Sequence, residues 1–180
     1  DSILQLVESF IFYEVDKTNS KKKTLIFPRY HQRRAVSRLL EDMKTNHTDN
    51  NYLIQHSAGS GKTNTIAWLA HSLVSLHDDQ NRNIVDTVLI VTDRIVVDRQ
   101  LQDAVRQINH KNGVVKVMGD RETSSDLADA IAGNTKIIAT TIHKFAQINQ
   151  SDWMSVGNTA NKKFAILIDE AHSSTTGSYM

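Results

Sequence analysis

The chain has 180 residues with 21 basic and 20 acidic side chains, a formal net charge of +1. Bulk electrostatics therefore give no pull toward nucleic acid or an anionic surface, and any such partner must be held by local sites. Apolar residues at 39% and charged residues at 23% are globular proportions, and the absence of cysteine removes disulfides and thiolate metal sites.

Ile3, Leu6, Val7, Phe10 and Ile11 are spaced for an amphipathic helix over residues 2–13, and the polar, cationic stretch Asp16–Thr24 reads as an exposed connector. Pro28, the only proline, precedes a second helix over Arg29–Asn46 with Val36, Leu39, Leu40 and Met43 on one face. Tyr52–Gln55 is a short apolar run of strand type, and a helix follows it with Ile66, Leu69, Ala70, Leu73 and Val74 in one stripe. Thr87–Asp93 is the next strand, continued by a helix through Val97, Leu101, Ala104, Val105 and Ile108. Val114–Met118 is another strand. The helix after it starts at a serine cap in "SSDLADAIAG" and stops at Gly133. Lys136–Thr141 and Phe164–Glu170 complete the strands, with a helix between them from about Ile142. Strands apolar throughout are buried on both faces, and their interleaving with helices predicts an α/β fold with a central, mostly parallel sheet flanked by helices. No apolar run reaches membrane-spanning length, so no membrane partner is expected, and the cysteine-free composition fits a reducing, cytoplasmic setting.

Between the first predicted strand-type run and its helix lies "HSAGSGKTN", His56–Asn64. In a parallel sheet this is the ligand edge, at the carboxyl end of a strand. Gly59 and Gly61 let backbone N–H groups turn inward, and the helix from Lys62 adds its partial positive end, so Ala58, Gly59, Ser60, Gly61, Lys62, Thr63 and Asn64 form a phosphate-binding loop. Lys62 reaches the β- and γ-phosphates while the Thr63 hydroxyl ligates Mg²⁺, so the predicted ligand is ATP with Mg²⁺. The usual first glycine of this motif is replaced by His56. At the end of the last strand, Asp169 is placed to hold Mg²⁺ and Glu170 to orient or deprotonate the attacking water. A flexible turn and a pair of surface acids are the plain alternatives, and it is the pairing of the two motifs that makes an ATPase core the better reading.

"GSGKT" with "DEAH" (Asp169–His172) resembles the first RecA-like domain of a P-loop superfamily-two helicase or translocase. "RYHQRRAV", "VTDRIVVDRQL", "TTIHKF" and "DEAHSS" narrow the likeness to the motor (R) subunit of type I restriction enzymes, over residues from about Phe27 to the end. The resemblance implies that Gln32 reads the adenine edge, and that His172 couples the nucleotide site to later motifs. It also implies that the loops after Thr92 and Thr141 touch the DNA backbone, through Arg94, Lys144 and neighbouring hydroxyls such as Thr141. Arg94 and Arg99 read equally well as a solvated helix face, and Thr140 and Thr141 as β-branched strand residues. Subunits of this kind pump double-stranded DNA, driven by ATP hydrolysis, within a complex with specificity and modification subunits, and cut it at a distance.

On this reading residues 1–26 lead into the motor and residues 27–180 form its first ATPase domain, truncated after "DEAH". The nuclease and the second motor lobe with its arginine finger are expected outside this chain, which begins at Asp1 and has eight residues after His172. Such a piece is expected to bind nucleotide weakly and barely turn over. Asp42-Met43-Lys44 has acid-x-lysine spacing but sits within a helix and reads as a solvated face. His71 and His77 read as structural or surface histidines, and Trp68 and Trp153 as packing residues. An RNA helicase or remodelling-type motor, a nucleotide sensor without hydrolysis, and a plain structural fragment are the rivals.

Overall fold

Hydrophobic spacing along the chain resolves into two compact units, one of residues 1–84 with 103–110 and one of residues 85–102 with 111–180. The computed structural model describes residues 10–15, 23–46, 50–57, 59–93, 99–108 and 114–170.

The first unit opens with a two-stranded antiparallel hairpin, β1 (Phe12–Val15) and β2 (Lys23–Ile26), in which Phe12 pairs with Ile26. This corrects two expectations: Phe12 and Tyr13 belong to a strand rather than a helix, and Lys23 and Thr24 to its partner rather than to a connector. Ile3, Leu6 and Val7 lie outside the described residues. Phe10 and Phe12 pack on Trp68, with ring centroids 6.2 and 6.0 Å away, so this tryptophan is a core residue. Helix α1 (Tyr30–Asn46) buries Gln32, Val36, Leu39 and Met43, successive positions of one helical stripe. It packs against α2 (Lys62–Val74), which is buried almost all round, at Thr65, from Ala67 through His71 and at Leu73. His71 lies 2.6 Å, through Nε2, from the Val105 carbonyl, and a carbonyl can only accept, so the imidazole donates there. Burial pushes its pKa below 6.5, partly opposed by that hydrogen bond.

Tyr52–Gln55 is the clearest departure in this unit. The segment forms no ladder among the described residues, and Leu53 is 86% exposed. A strand exists only where a neighbour supplies hydrogen bonds, and four apolar residues specify an extended run without specifying that neighbour.

The second unit is a four-stranded, all-parallel sheet in the order β4 (Val115–Val117), β5 (Ile137–Thr141), β3 (Thr87–Thr92), β6 (Phe164–Asp169). Its helices are α4 (Ser124–Ala132), α5 (Ile142–Ala146) and α6 (Gln150–Val156), and α3 (Arg99–Ile108) begins in it and ends in the first unit. The central strands are closed on both faces: β5 is buried throughout and β3 at every position except Val91. Leu89, Met118, Leu127, Ile131, Ile138 and Ile148 form the core on one side. β6 corrects the expectation of uniform burial, because Ile166 and Ile168 are 58% and 57% exposed. It pairs with β3 alone among the described strands, and its side chains alternate as those of a strand covered on one face do. The cap of α4 is Thr123 rather than a serine. Its hydroxyl accepts from the Asp126 N–H while Asp126 reaches back to the Thr123 N–H, a reciprocal pair that satisfies two helix-end donors.

Candidate active site

The glycine-rich loop of the first unit is shaped from outside by the start of α1. Arg29 Nη1 donates to the Gly59 carbonyl at 3.4 Å, His31 Nε2 to the Ser60 carbonyl at 3.1 Å, and Gln32 Nε2 to the Gly61 carbonyl at 2.8 Å. In a planar trans peptide the carbonyl and the following N–H point opposite ways. Carbonyls drawn toward α1 therefore turn the N–H groups of Gly61 and Lys62 away from it, while the Ser60 N–H closes onto Ser57. This conformation needs left-handed backbone at Gly59 (φ +71°) and Gly61 (φ +85°), which glycine adopts without steric penalty.

The same loop starts α2. Gly61 is its N-cap, with no side-chain cap bond, and no acidic residue occupies the first turn. A helix start with neither a capping side chain nor an acid of its own suits an anion from outside the chain. Two further polar atoms in the loop, Ser60 Oγ and His56 Nδ1, are buried without a hydrogen-bond partner. The loop accordingly fits a bound polyphosphate, which carries the acceptors this cup lacks. Lys62, Thr63 and Asn64, half-buried, form the first turn. Ala58 lies outside the described residues.

Gln32 occupies the polar place in α1's buried stripe and is 3% exposed. Its Oε1 accepts from the Arg29 N–H at 2.7 Å, the backward half of a capping box, while its Nε2 braces Gly61. The amide retains a second N–H and a second lone pair for a base edge. His56 stacks edge-on against His31, with ring centroids 5.1 Å apart at 86°. Burial, then the charges of His31 and Lys62, push the His56 pKa below 6.5. Arg29 and His31 escaped the sequence reading, and the signal that could have found them is their place one helical turn around Gln32.

In the second unit the strand register lines up another set of predicted residues. Thr92 pairs with Thr141 on one side and with Asp169 on the other, so all three stand at the carboxyl edge of one parallel sheet. Thr92 is 2% exposed, and its Oγ1 has no hydrogen-bond partner. Thr141 caps α5 by accepting from the Lys144 N–H, and Lys144 Nζ donates to the Gly119 carbonyl. Glu170 follows at φ +57°, left-handed backbone that a glutamate rarely adopts and that is concentrated at functional positions. Arg94 and His172 lie outside the described residues, as do the side chains of Trp153 and its helical neighbours. Asp42 is engaged by Tyr52 Oη at 2.6 Å and by Asn46 at 2.7 Å, in keeping with a local polar cluster on α1. Tyr52, first, and Asn46 lower its pKa.

Residues 31–180 match the family model for the SWI2/SNF2 ATPase. The chain is also similar to proteins described as type I restriction enzyme endonuclease subunits, as its motifs suggested. It is 28% identical to the MjaVIIIP subunit of Methanocaldococcus jannaschii, over 99% of this chain and 18% of that protein. It is likewise 28% identical to the SsaAORF53P subunit of Staphylococcus saprophyticus, over 88% of this chain and 16% of that protein. The SauCOLORF180P subunit of Staphylococcus aureus gives the same identity and coverage. The chain thus spans less than a fifth of the length of these relatives. No solved structure matches the chain significantly. With a family match over most of its length and a parallel sheet carrying the expected edge residues, the chain belongs to the SWI2/SNF2 ATPase family.

Proposed function

We propose that this chain is the ATP-binding motor domain of a type I restriction enzyme's endonuclease subunit, and that it couples ATP hydrolysis to movement along double-stranded DNA. The observation that carries the reading is the glycine cup whose carbonyls are drawn back by Arg29, His31 and Gln32, leaving a helix start without its own cap. Residues 27–180 form the ATPase domain and residues 1–26 lead into it.

Gly59, Ser60 and Gly61 hold the phosphates by backbone N–H groups, with Ala58 and Asn64 flanking them, and Gln32 meets the adenine. Lys62 offsets the charge that gathers on the transferring γ-phosphoryl group. Thr63 and Asp169 would hold Mg²⁺, which would supply positive charge against the phosphates. No cluster of three metal-ligating His, Asp or Glu side chains occurs among the described residues. That suits an ion which keeps most of its waters and takes one or two protein oxygens beside the substrate's own. Glu170 orients the attacking water and receives its proton. DNA contact falls to Arg94, Thr141 and Lys144, and His172 transmits the nucleotide state. The similarity to restriction subunits supports duplex DNA and the specificity and modification subunits as partners in the cytoplasm, with the nuclease in another part of the protein. No helix among the described residues is long and apolar enough to cross a membrane.

The test is ATP hydrolysis by the full-length protein with duplex DNA and with RNA. Stimulation by duplex DNA supports the motor, stimulation by RNA alone favours an RNA helicase, and ATP binding without turnover favours a sensor.

A further inference from the structure

Hydrogen bonds from α1 to the loop run in step: residues 29, 31 and 32 meet the carbonyls of residues 59, 60 and 61. Gln32 has a second engagement, with the Arg29 N–H, and Arg29 reaches Gly59 only at 3.4 Å. His31 is exposed, and its bond at 3.1 Å ties the Ser60 carbonyl to the start of α1. Ser60 is also the point where the loop turns: its N–H closes onto Ser57, and its buried hydroxyl has no partner. The carbonyl of Ser60 and the N–H of Gly61 belong to one peptide, so whatever fixes the first aims the second.

We propose that His31 is a positioning residue for phosphate binding: by donating Nε2–H to the Ser60 carbonyl it holds the Ser60–Gly61 peptide with its N–H turned toward the ligand. The His56 ring, standing edge-on to His31 where the motif usually has a glycine, fixes the orientation in which that donor faces the loop. His31 acts here through the loop backbone and not as a phosphate ligand. The loop is thereby formed before nucleotide arrives, and binding is spared the cost of ordering it. The idea rests on the ATP site argued above but assigns a role to a residue outside the phosphate-loop motif.

The full-length protein is titrated with ATP, inorganic tripolyphosphate and adenosine, as wild type and as His31→Phe and His31→Gln. Phe keeps an aromatic ring against His56 and removes the donor, whereas Gln replaces the donor by an amide of similar reach. His31→Phe is expected to weaken ATP and tripolyphosphate alike by about fivefold, the worth of one hydrogen bond, with adenosine unaffected. His31→Gln is expected to restore both to within about twofold. Because His31 is exposed, both variants should melt with the wild type, which separates positioning from stability. Unchanged tripolyphosphate affinity in His31→Phe, or an equal loss in His31→Gln, overturns the proposal while leaving the ATP site standing. Wild-type protein that binds neither ATP nor tripolyphosphate overturns both readings.

Discussion

Gly59 and Gly61 are both left-handed, yet they should respond differently to the same substitution. A Cβ added at Gly59 meets nothing within 4 Å, so Gly59→Ala bears only the cost of left-handed backbone, about 1–2 kcal/mol. At Gly61 the new Cβ falls 2.5 Å from Gln32 Nε2. The amide end is flexible, but it lies in a buried side chain held at both ends, and moving it breaks the 2.8 Å bond to the Gly61 carbonyl. That adds about 1 kcal/mol, for a total of about 2–3. Gly61→Ala should therefore bind a fluorescent ATP analogue about fivefold more weakly than Gly59→Ala, and about 30- to 150-fold more weakly than wild type. In a Gln32→Ala background the extra loss at Gly61 should disappear, since the two changes remove one shared contact. Equal losses for the two alanines, or strict additivity with Gln32→Ala, would refute the assigned brace.

Glu170→Gln should abolish ATP turnover in the full-length protein while leaving ATP affinity within about twofold, and unchanged turnover would remove Glu170 from the water-handling role. His71 sets a pH dependence: its folded pKa lies below 6.5, so the unfolded chain takes up the proton first as pH falls. The stability it leaves intact above pH 6.5 is lost progressively below, and the thermal midpoint should drop on acidification with a slope that His71→Phe flattens. Thr123→Ala removes one half of the α4 capping box and should destabilise the second unit by about 1 kcal/mol in urea titrations, with Thr123→Ser close to wild type. Ile138→Ala, at a fully buried position of β5, should cost about 2–5 kcal/mol by the same measurement.

How much of the molecule could be read in advance follows from the range of the interactions involved. Residues 87–92, 137–141 and 164–169 announced themselves as strands because an apolar run bounded by turns has few other uses, and all three join one parallel sheet. The helices at Tyr30–Asn46 and Lys62–Val74 followed from local spacing and the proline before the first. The hairpin of β1 and β2 was missed because Ile3 to Ile11 fit helical spacing. The pairing of Phe12 with Ile26 is a contact across the chain that periodicity cannot encode. The cap at Thr123 was displaced by one residue for a lesser reason: adjacent hydroxyls are equivalent in sequence, and only geometry selects one.

The site divides the same way. Which residue types could meet a phosphate was fixed by the amino-acid sequence alone, because only glycine takes the left-handed turn cheaply and only a lysine and a hydroxyl at those offsets suit a metal–polyphosphate. Tertiary structure alone decided what holds that turn in shape. Arg29, His31 and Gln32 reach carbonyls about thirty residues away, and the exposure of Tyr52–Gln55 and of one face of β6 depends on which neighbours cover them. A side chain's chemistry is local, but the partner that orients it is selected by folding.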